Sequence, residues 1–600
     1  AYPIQWPPTR WLNRGKFMTL NVKRSSRVRQ IAIGLGLALA VSTVGVSGSS
    51  AAKVQAPTRG GKVTMLIGDP MAQYCPSDNG GNGSLHTFRM VYEPLLEQTS
   101  GGKLVPYLAS SVTSPDNKVW TITVRPGIKF SNGEALDADA VRSNIMVQRG
   151  LGALVGATIP TASLKGAFSG NILSVDKVDA MTVKVTLSAP QRDYPEALYA
   201  SGRNSMVAPA QLKSAKCSTV PIGTGPFMVQ GESTANETVF VKNPLYWRNA
   251  PDGKPLPYLD QITVKYVSEG AQRSVAVRSG SATAASFSSS VGAKQVAAIK
   301  ADKKLTLYTS PAEYYTTSWL NTSIAPFNQK NCRVAAAYAL DPVKTAKIGT
   351  KGLETPLDGL FAKGSKMYVK SPYSYNLAKA KEFFELCKTD LKATSVAVSI
   401  PAGTDSASKD YVQLSANQLN AAGFNATVEQ MLTAVQIDRA FSKNNLQVNT
   451  LQVMEGVNTS AWNTTFLKAT TNPTGSPAAA GLNAAVPNMG AAYGGLGMGT
   501  IFKLKIWPLL NLTKHTNAAV DAAFFAAQAA ADDATMNAKL KEGVKIIQDE
   551  AYAIGGAALT YYYAASPKLK GIEDFRLVEG AKTQVVANWG FMWTTAYLTK

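Results

Sequence analysis

The chain has 600 residues, 45% hydrophobic and 17% charged, a globular composition that is not that of a disordered chain. Its length exceeds one ordinary core and predicts two or three packed units. The formal charge is +22, but residues 1–52 hold seven Lys/Arg and no acid, and from Lys53 onward 54 basic residues face 39 acidic ones. These later cations are scattered, and no aromatic-rich strand of the RNA-binding kind occurs, so no nucleic-acid partner is expected.

Read in chain order, Ala1 to Phe17 is set aside as a non-native extension, and Met18 opens an export signal. Lys23, Arg24, Arg27 and Arg29 form its positive region, and Ile31 to Val46 forms its apolar run. That run falls short of the ~20 residues a membrane-spanning helix needs. Ser50-Ala51-Ala52 before Lys53 reads as the cleavage site, and no Cys follows closely enough for a lipid anchor. The mature chain is therefore expected in the periplasm or secreted.

Lys62 to Gly68 (KVTMLIG) predicts a buried strand, and the Gly/Asn/Ser-rich stretch Asp78 to Ser84 a loop. Leu85 to Glu93 predicts a short helix broken at Pro94. Trp120 to Val124 alternates as a strand, and Ile128 to Phe130 follows as a second after Arg125-Pro126-Gly127. Ser131-Asn132-Gly133 is a hairpin-type turn, and Asp137 caps a helix through Ile145. Strands are predicted at Val183 to Leu187, Val239 to Lys242 and Ile262 to Val267, with a helix over Ala271 to Arg278.

From Tyr314 the pattern restarts. Thr316 to Leu320 reads as a strand, and Cys332 to Leu340 and Asn376 to Cys387 as helices. Val396 to Ile400, Lys409 to Ala422 and Asn425 to Gln430 give strand, helix and strand. Thr470 to Gly499 reads as a long loop. Asn517 to Ala531 and Thr535 to Glu550 are the last long helices, and Leu559 to Lys600 returns to short β-like segments. Strands alternating with helices predict an α/β architecture.

Catalytic chemistry finds little footing. The two histidines, His86 and His515, are far apart in the chain, and neither G-x-S-x-G, H-E-x-x-H nor a phosphate-binding G-x-x-x-x-G-K-[ST] occurs. Ser77-Asp78-Asn79 and Ser174 to Lys177 match penicillin-recognising motifs in the wrong order, with K-T-G missing, and are chance matches. Gly223-Thr224-Gly225 reads as a turn, and Asp532-Asp533 as solvated acids between helices. The cysteines, Cys75, Cys217, Cys332 and Cys387, form no C-x-x-C pair, so no metal site and no cofactor are expected. In an exported chain they point to disulfides, with three possible connectivities.

Several segments together resemble the family 5 extracellular solute-binding proteins, the class of dipeptide, oligopeptide and nickel receptors. They are MVYEPLL at Met90 to Leu96, GKLVPYLA at Gly102 to Ala109, and WTITVRPGIKFSNG at Trp120 to Gly133, followed by Leu136 to Ile145. GTGPF (Gly223 to Phe227), NPLYW (Asn243 to Trp247), YLDQI (Tyr258 to Ile262) and VAAAYALD (Val334 to Asp341) follow in the family order. Tyr375 to Ala380 and Val520 to Ala527 complete the set, so the resemblance covers roughly Gly61 to Arg576. Most of these motifs read as scaffold, with Trp247 a lobe anchor.

The resemblance implies a two-lobe periplasmic-binding-protein fold of the large peptide-binding type, with a ligand cleft between lobes that close about a hinge. Lobe I would span 53–311 with a C-terminal return at 567–600, and lobe II 312–566. Each cysteine pair then falls within one lobe as Cys75–Cys217 and Cys332–Cys387. The implied function is a receptor, not an enzyme, that delivers a small-molecule or peptide ligand to the transmembrane subunits of an ABC permease, working as a monomer. An exported hydrolase acting on peptidoglycan or glycans is the competing reading, and a sensor or chaperone on the same scaffold a third.

An interlobe wall should be apolar and aromatic with a few placed polar groups. Tyr74 and Asn79 are the expected contributions of lobe I. In lobe II the stretch MEGVNTSAW offers Met454, Glu455, Asn458 and Trp462, with Trp462 stacking on the ligand and Glu455 facing a cation. Peptide receptors of the family carry an aspartate for the ligand's ammonium near this Trp. Here Ser460-Ala461-Trp462-Asn463-Thr464 lacks it, so a sugar or small organic acid stands level with a peptide.

Overall fold

The computed structural model describes residues 56–68, 74–75, 82–149, 151–159, 171–288, 292–310, 314–404, 406–452, 454–455, 460, 464, 467–468, 511–587 and 590–600. The export signal, the 470–499 stretch, Asn79, Asn458 and Trp462 lie outside these residues.

Lys62–Ile67 occupies the middle of a seven-stranded sheet, between Gln261–Tyr266 and Ala284–Ser288, and is parallel to both. A central strand covered on both faces must be apolar along its length, which is why KVTMLI shows no alternation after its first residues. Phe227–Val229 and Glu237–Lys242 extend the sheet on one side, and Tyr561–Ala565 and Thr306–Thr309 on the other.

A second, antiparallel sheet runs Ala109–Thr113, Val119–Val124, Thr182–Leu187, Ile172–Lys177. Its strand Val119–Val124 buries Trp120, Ile122 and Val124, the alternate residues of one face. The predicted strand at Ile128 to Phe130 is instead one bridge between Lys129 and Ala135. The turn at Gly127 (φ +80°) and the one at Gly133 (φ +93°) leave too little chain between them for a ladder.

The third sheet pairs Tyr314–Leu320 with Ala553–Leu559 and Val448–Asn449, with Thr355–Pro356 on the outer edge of Ala553–Leu559. Ala397–Ala402 and Asn425–Gln430 form a separate parallel pair connected by the helix Ser406–Ala422. Helices begin where cap chemistry dictates. Asp137, Asn376, Asn517 and Asp532 each accept a hydrogen bond from a backbone N–H two or three residues on. Both disulfides are formed, Cys75–Cys217 with Cα atoms 4.9 Å apart and Cys332–Cys387 at 4.6 Å. Among the described residues no helix is long and apolar enough to cross a membrane.

The chain passes twice between the first and third sheets, and the two passages touch. Ser310 N–H donates to the Tyr561 carbonyl at 2.9 Å, and Tyr561 N–H donates to Ser310 Oγ at 2.9 Å. The second passage turns at Thr560, between Ala553–Leu559 of the third sheet and Tyr561–Ala565 of the first. One apolar cluster continues from Trp120, Ile122 and Val185 of the second sheet to Trp319, Phe361, Phe524 and Val544 on the other side.

Candidate functional site

Glu93 follows the helix Asn82–Val91 and is 5% exposed. Its Oε1 accepts from the hydroxyls of Tyr107 at 2.8 Å and Tyr246 at 3.0 Å. Its Oε2 accepts from Thr224 Oγ1 at 2.9 Å and Trp247 Nε1 at 2.8 Å. Burial pushes the carboxyl above its ordinary range, and the four donors oppose that push. The guanidinium of Arg248 lies 4.8 Å from the centre of the Phe575 ring and over Trp247 and Tyr107.

Four motifs separated by up to 154 positions thus meet at one carboxylate. The glycines of GTGPF have the same cause. A Cβ at Gly223 would stand 2.0 Å from the Val91 carbonyl oxygen, and Gly225 N–H donates to that oxygen at 2.8 Å. These residues tie four separate segments of the chain together.

Tyr74 is placed differently from its expected role. It is fully buried beside the Cys75–Cys217 disulfide, its hydroxyl 2.6 Å from Thr87 Oγ1 and its ring stacked on Phe88. Its side chain is fully buried and has no surface to offer a ligand. Glu455 pairs through its backbone with Tyr314, and Met454 with Tyr315, so the MEGVNTSAW stretch starts on a short strand beside the one that leaves the first passage. Both histidines are buried in structural contacts. His86 Nδ1 is 2.5 Å from the Tyr563 hydroxyl, and His515 stacks on Tyr552 with Nε2 2.7 Å from the Leu467 carbonyl oxygen. Asp532 caps its helix, and Asp533 pairs with Arg192 at 2.6 Å.

Ser460, from the same stretch, reaches across to the short helix Tyr194–Tyr199. Its Oγ is 3.0 Å from Asp193 Oδ2 and 2.8 Å from Glu196 Oε2. Lys366 Nζ forms an ion pair with Glu196 Oε1 in which both side chains are largely covered. Burial raises the Glu196 carboxyl, Lys366 lowers it, and Asp193 adds to the rise. Sequence reasoning missed Asp193, Glu196 and Lys366. Asp193 and Glu196 at i, i+3 around Pro195 were visible as one helix turn, but their partners lie more than 160 residues away.

Lys468 completes this region. It is 5% exposed, lies 4.7 Å over the Phe525 ring and is 3.5 Å from Gln528 Oε1. Burial brings its ammonium down to about 8, against the pull of Asp193 and Asp521. Because the folded value lies below the unfolded one, holding the charge costs stability below about pH 8, and the cost vanishes as pH rises toward 10.5. Lys468→Met is therefore expected to stabilise the protein at pH 7 by about 1–3 kcal/mol. Urea unfolding of both proteins at pH 7 and pH 10 checks this: the gap should close at the higher pH, and a constant gap would assign the effect to packing. Among the described residues no cluster of His, Cys, Asp and Glu could hold a metal ion.

Residues 103–475 match the family model for bacterial extracellular solute-binding proteins, family 5 (middle region). The chain is 30% identical over 332 residues to the glutathione-binding protein GsiB of Salmonella paratyphi A, an alignment covering 54% of this chain and 60% of that protein. GsiB of Escherichia coli O157:H7 is similar at 29% identity with the same coverage. The chain thus spans about 60% of the length of the curated relatives it matches. Among solved structures, the periplasmic binding protein AgaA from A.tumefacien R10 in complex with agropinic acid superposes with a TM-score of 0.71 at 18% identity, covering 90% of this chain and 99% of that one. DppA from Helicobacter pylori in complex with the peptide STSA gives 0.70 at 19% identity with the same coverage. NikZ from Campylobacter jejuni in complex with Ni(L-His) gives 0.68 at 15%, covering 89% and 97%.

Proposed function

The chain belongs to the bacterial extracellular solute-binding proteins, family 5, and on that premise we propose that it is the exported receptor of an ABC importer. In this reading it captures a small solute between two lobes and passes it on without chemical change. The first lobe is built on the seven-stranded and four-stranded sheets, the second on the sheet around Tyr314–Leu320. The observation that carries the reading is the pair of touching passages at Ser310 and Tyr561. Two short connections side by side let lobes rotate as bodies while their own hydrogen bonds stay intact. The receptor acts as a monomer in the periplasm and docks on the permease's transmembrane subunits.

The solute is a small peptide or an amino-acid-derived acid. Relatives named for glutathione, agropinic acid and the peptide STSA support this class. With no aspartate at residues 460–464, the solute's ammonium has no ion-pair partner in that stretch. Within the MEGVNTSAW stretch, Trp462 is the proposed stacking residue and Glu455 the proposed partner of a cation, with Met454 and Asn458 as further wall and Asn79 the proposed contact from the first lobe.

A thermal-shift panel of glutathione, tri- and tetrapeptides, agropinic acid and simple sugars tests the reading, paired with native mass spectrometry of the purified protein. Peptides or amino-acid conjugates should raise the unfolding midpoint by several degrees, as expected at ligand excess of about 100 Kd. The compounds should be recovered unchanged. Consumption of a compound with release of product would make the chain an enzyme, and a response to sugars alone would overturn the solute class.

A further inference from the structure

We propose that Asp193, Glu196, Lys366 and Ser460 form a latch that holds the two lobes closed, with Ser460 the positioning residue set between the two carboxylates. The inference rests on the receptor reading and adds to it the side chains that hold the lobes together.

Asp193 and Glu196 belong to the first lobe. Tyr199, on the same short helix, donates from its hydroxyl to Glu97 Oε1 at 3.0 Å, and Tyr194 packs on Trp120 with ring centres 5.5 Å apart. Lys366 and Ser460 reach them from two separate segments of the second lobe. Charged groups so thoroughly covered are costly unless paired. If the lobes parted, Glu196 and Lys366 would regain water, but the contacts that link one lobe to the other would be lost.

The Ser460 hydroxyl has one proton and two carboxylates within reach. It donates to one of them at a time, while Gln191 Nε2 donates to Asp193 Oδ1 at 2.9 Å and Lys366 pairs with Glu196 Oε1, so the groups share partners and act as a unit. Flanking contacts run in the same direction: Arg192 N–H donates to the Gln528 carbonyl at 2.7 Å, and its Nη1 to the Ala531 carbonyl at 2.7 Å.

A latch of this kind makes the solute-free receptor largely closed and lets it open intermittently.

The test measures the distance between the lobes with no solute present, so it is independent of whether the solute class is correct. Spin labels at Val275→Cys and Val343→Cys, both highly exposed and in different lobes, report the distance by double electron–electron resonance. With the latch intact, a short-distance population should dominate. Ser460→Ala, Glu196→Gln and Lys366→Met should each raise the ratio of open to closed forms about tenfold or more. The double variant Ser460→Ala/Glu196→Gln should open the lobes by much less than the product of the single effects.

Far-UV circular dichroism and the unfolding midpoint show whether each variant has kept its fold, and the mildest, Ser460→Ala, suffices if the charged variants misfold. Identical distance distributions in folded Ser460→Ala and the background would overturn the latch. So would a background already at long distance. A thermal-shift panel without response would overturn the receptor reading while leaving the distance result standing.

Discussion

Glu93→Ala is expected to destabilise the first lobe by about 3–5 kcal/mol. Truncation removes the common acceptor of Tyr107, Tyr246, Thr224 and Trp247 and leaves four donors around a void. The three hydroxyls can rotate toward other acceptors, but the Trp247 indole N–H is fixed and keeps its full desolvation cost. Glu93→Gln should cost far less. Its amide oxygen can face Thr224 and Trp247 while its NH₂ donates to the two tyrosine hydroxyls, which turn to accept.

The pH dependence separates the two effects. Burial raises the folded carboxyl above its unfolded value, so between those values the folded state binds the proton more tightly. The wild type's advantage over Glu93→Gln is then largest below the ordinary carboxyl value and shrinks as pH rises from that value through the raised folded one. Thermal unfolding of the three proteins at several pH values checks both points. A Glu93→Gln protein as unstable as Glu93→Ala would mean that the ionised carboxylate itself holds the hub together.

Removing the Cys75–Cys217 bridge as Cys75→Ser/Cys217→Ser should cost about 5 kcal/mol on loop-entropy grounds, and removing Cys332–Cys387 about 4 kcal/mol. The order follows from the chain each closes, 142 positions against 55. The first bridge also fixes the segment on which Tyr74 packs between Phe88 and Tyr92. The second joins the helix Lys330–Ala339 to Leu377–Leu391, whose contact is already dense with Phe384, Ala380 and Ala336. Urea midpoints of the two double variants, compared with the parent under the same oxidising conditions, test the ranking. A larger loss from the 332–387 pair would show that native packing, and not loop length, sets the cost.

The elements were legible in the sequence because their causes are local. Trp120, Ile122 and Val124 recur every second residue, and Asn376, Asn517 and Asp532 sit one residue before their helices. The family was legible too, since ordered turn and anchor motifs survive as short strings. The strand expected at Ile128 to Phe130 is a single bridge because strand propensity takes no account of the room left between two turns.

The α/β alternation, the helix starts, the family and the tight turns can be read from the chain alone, because each depends on residues within a few positions of each other. Packing of distant segments is what brings four motifs to the Glu93 carboxylate, puts Tyr74 in a core and sets Ser460 against Asp193 and Glu196. The partner of a buried polar group is chosen by which segments pack together, hundreds of positions apart, and no local periodicity carries that information.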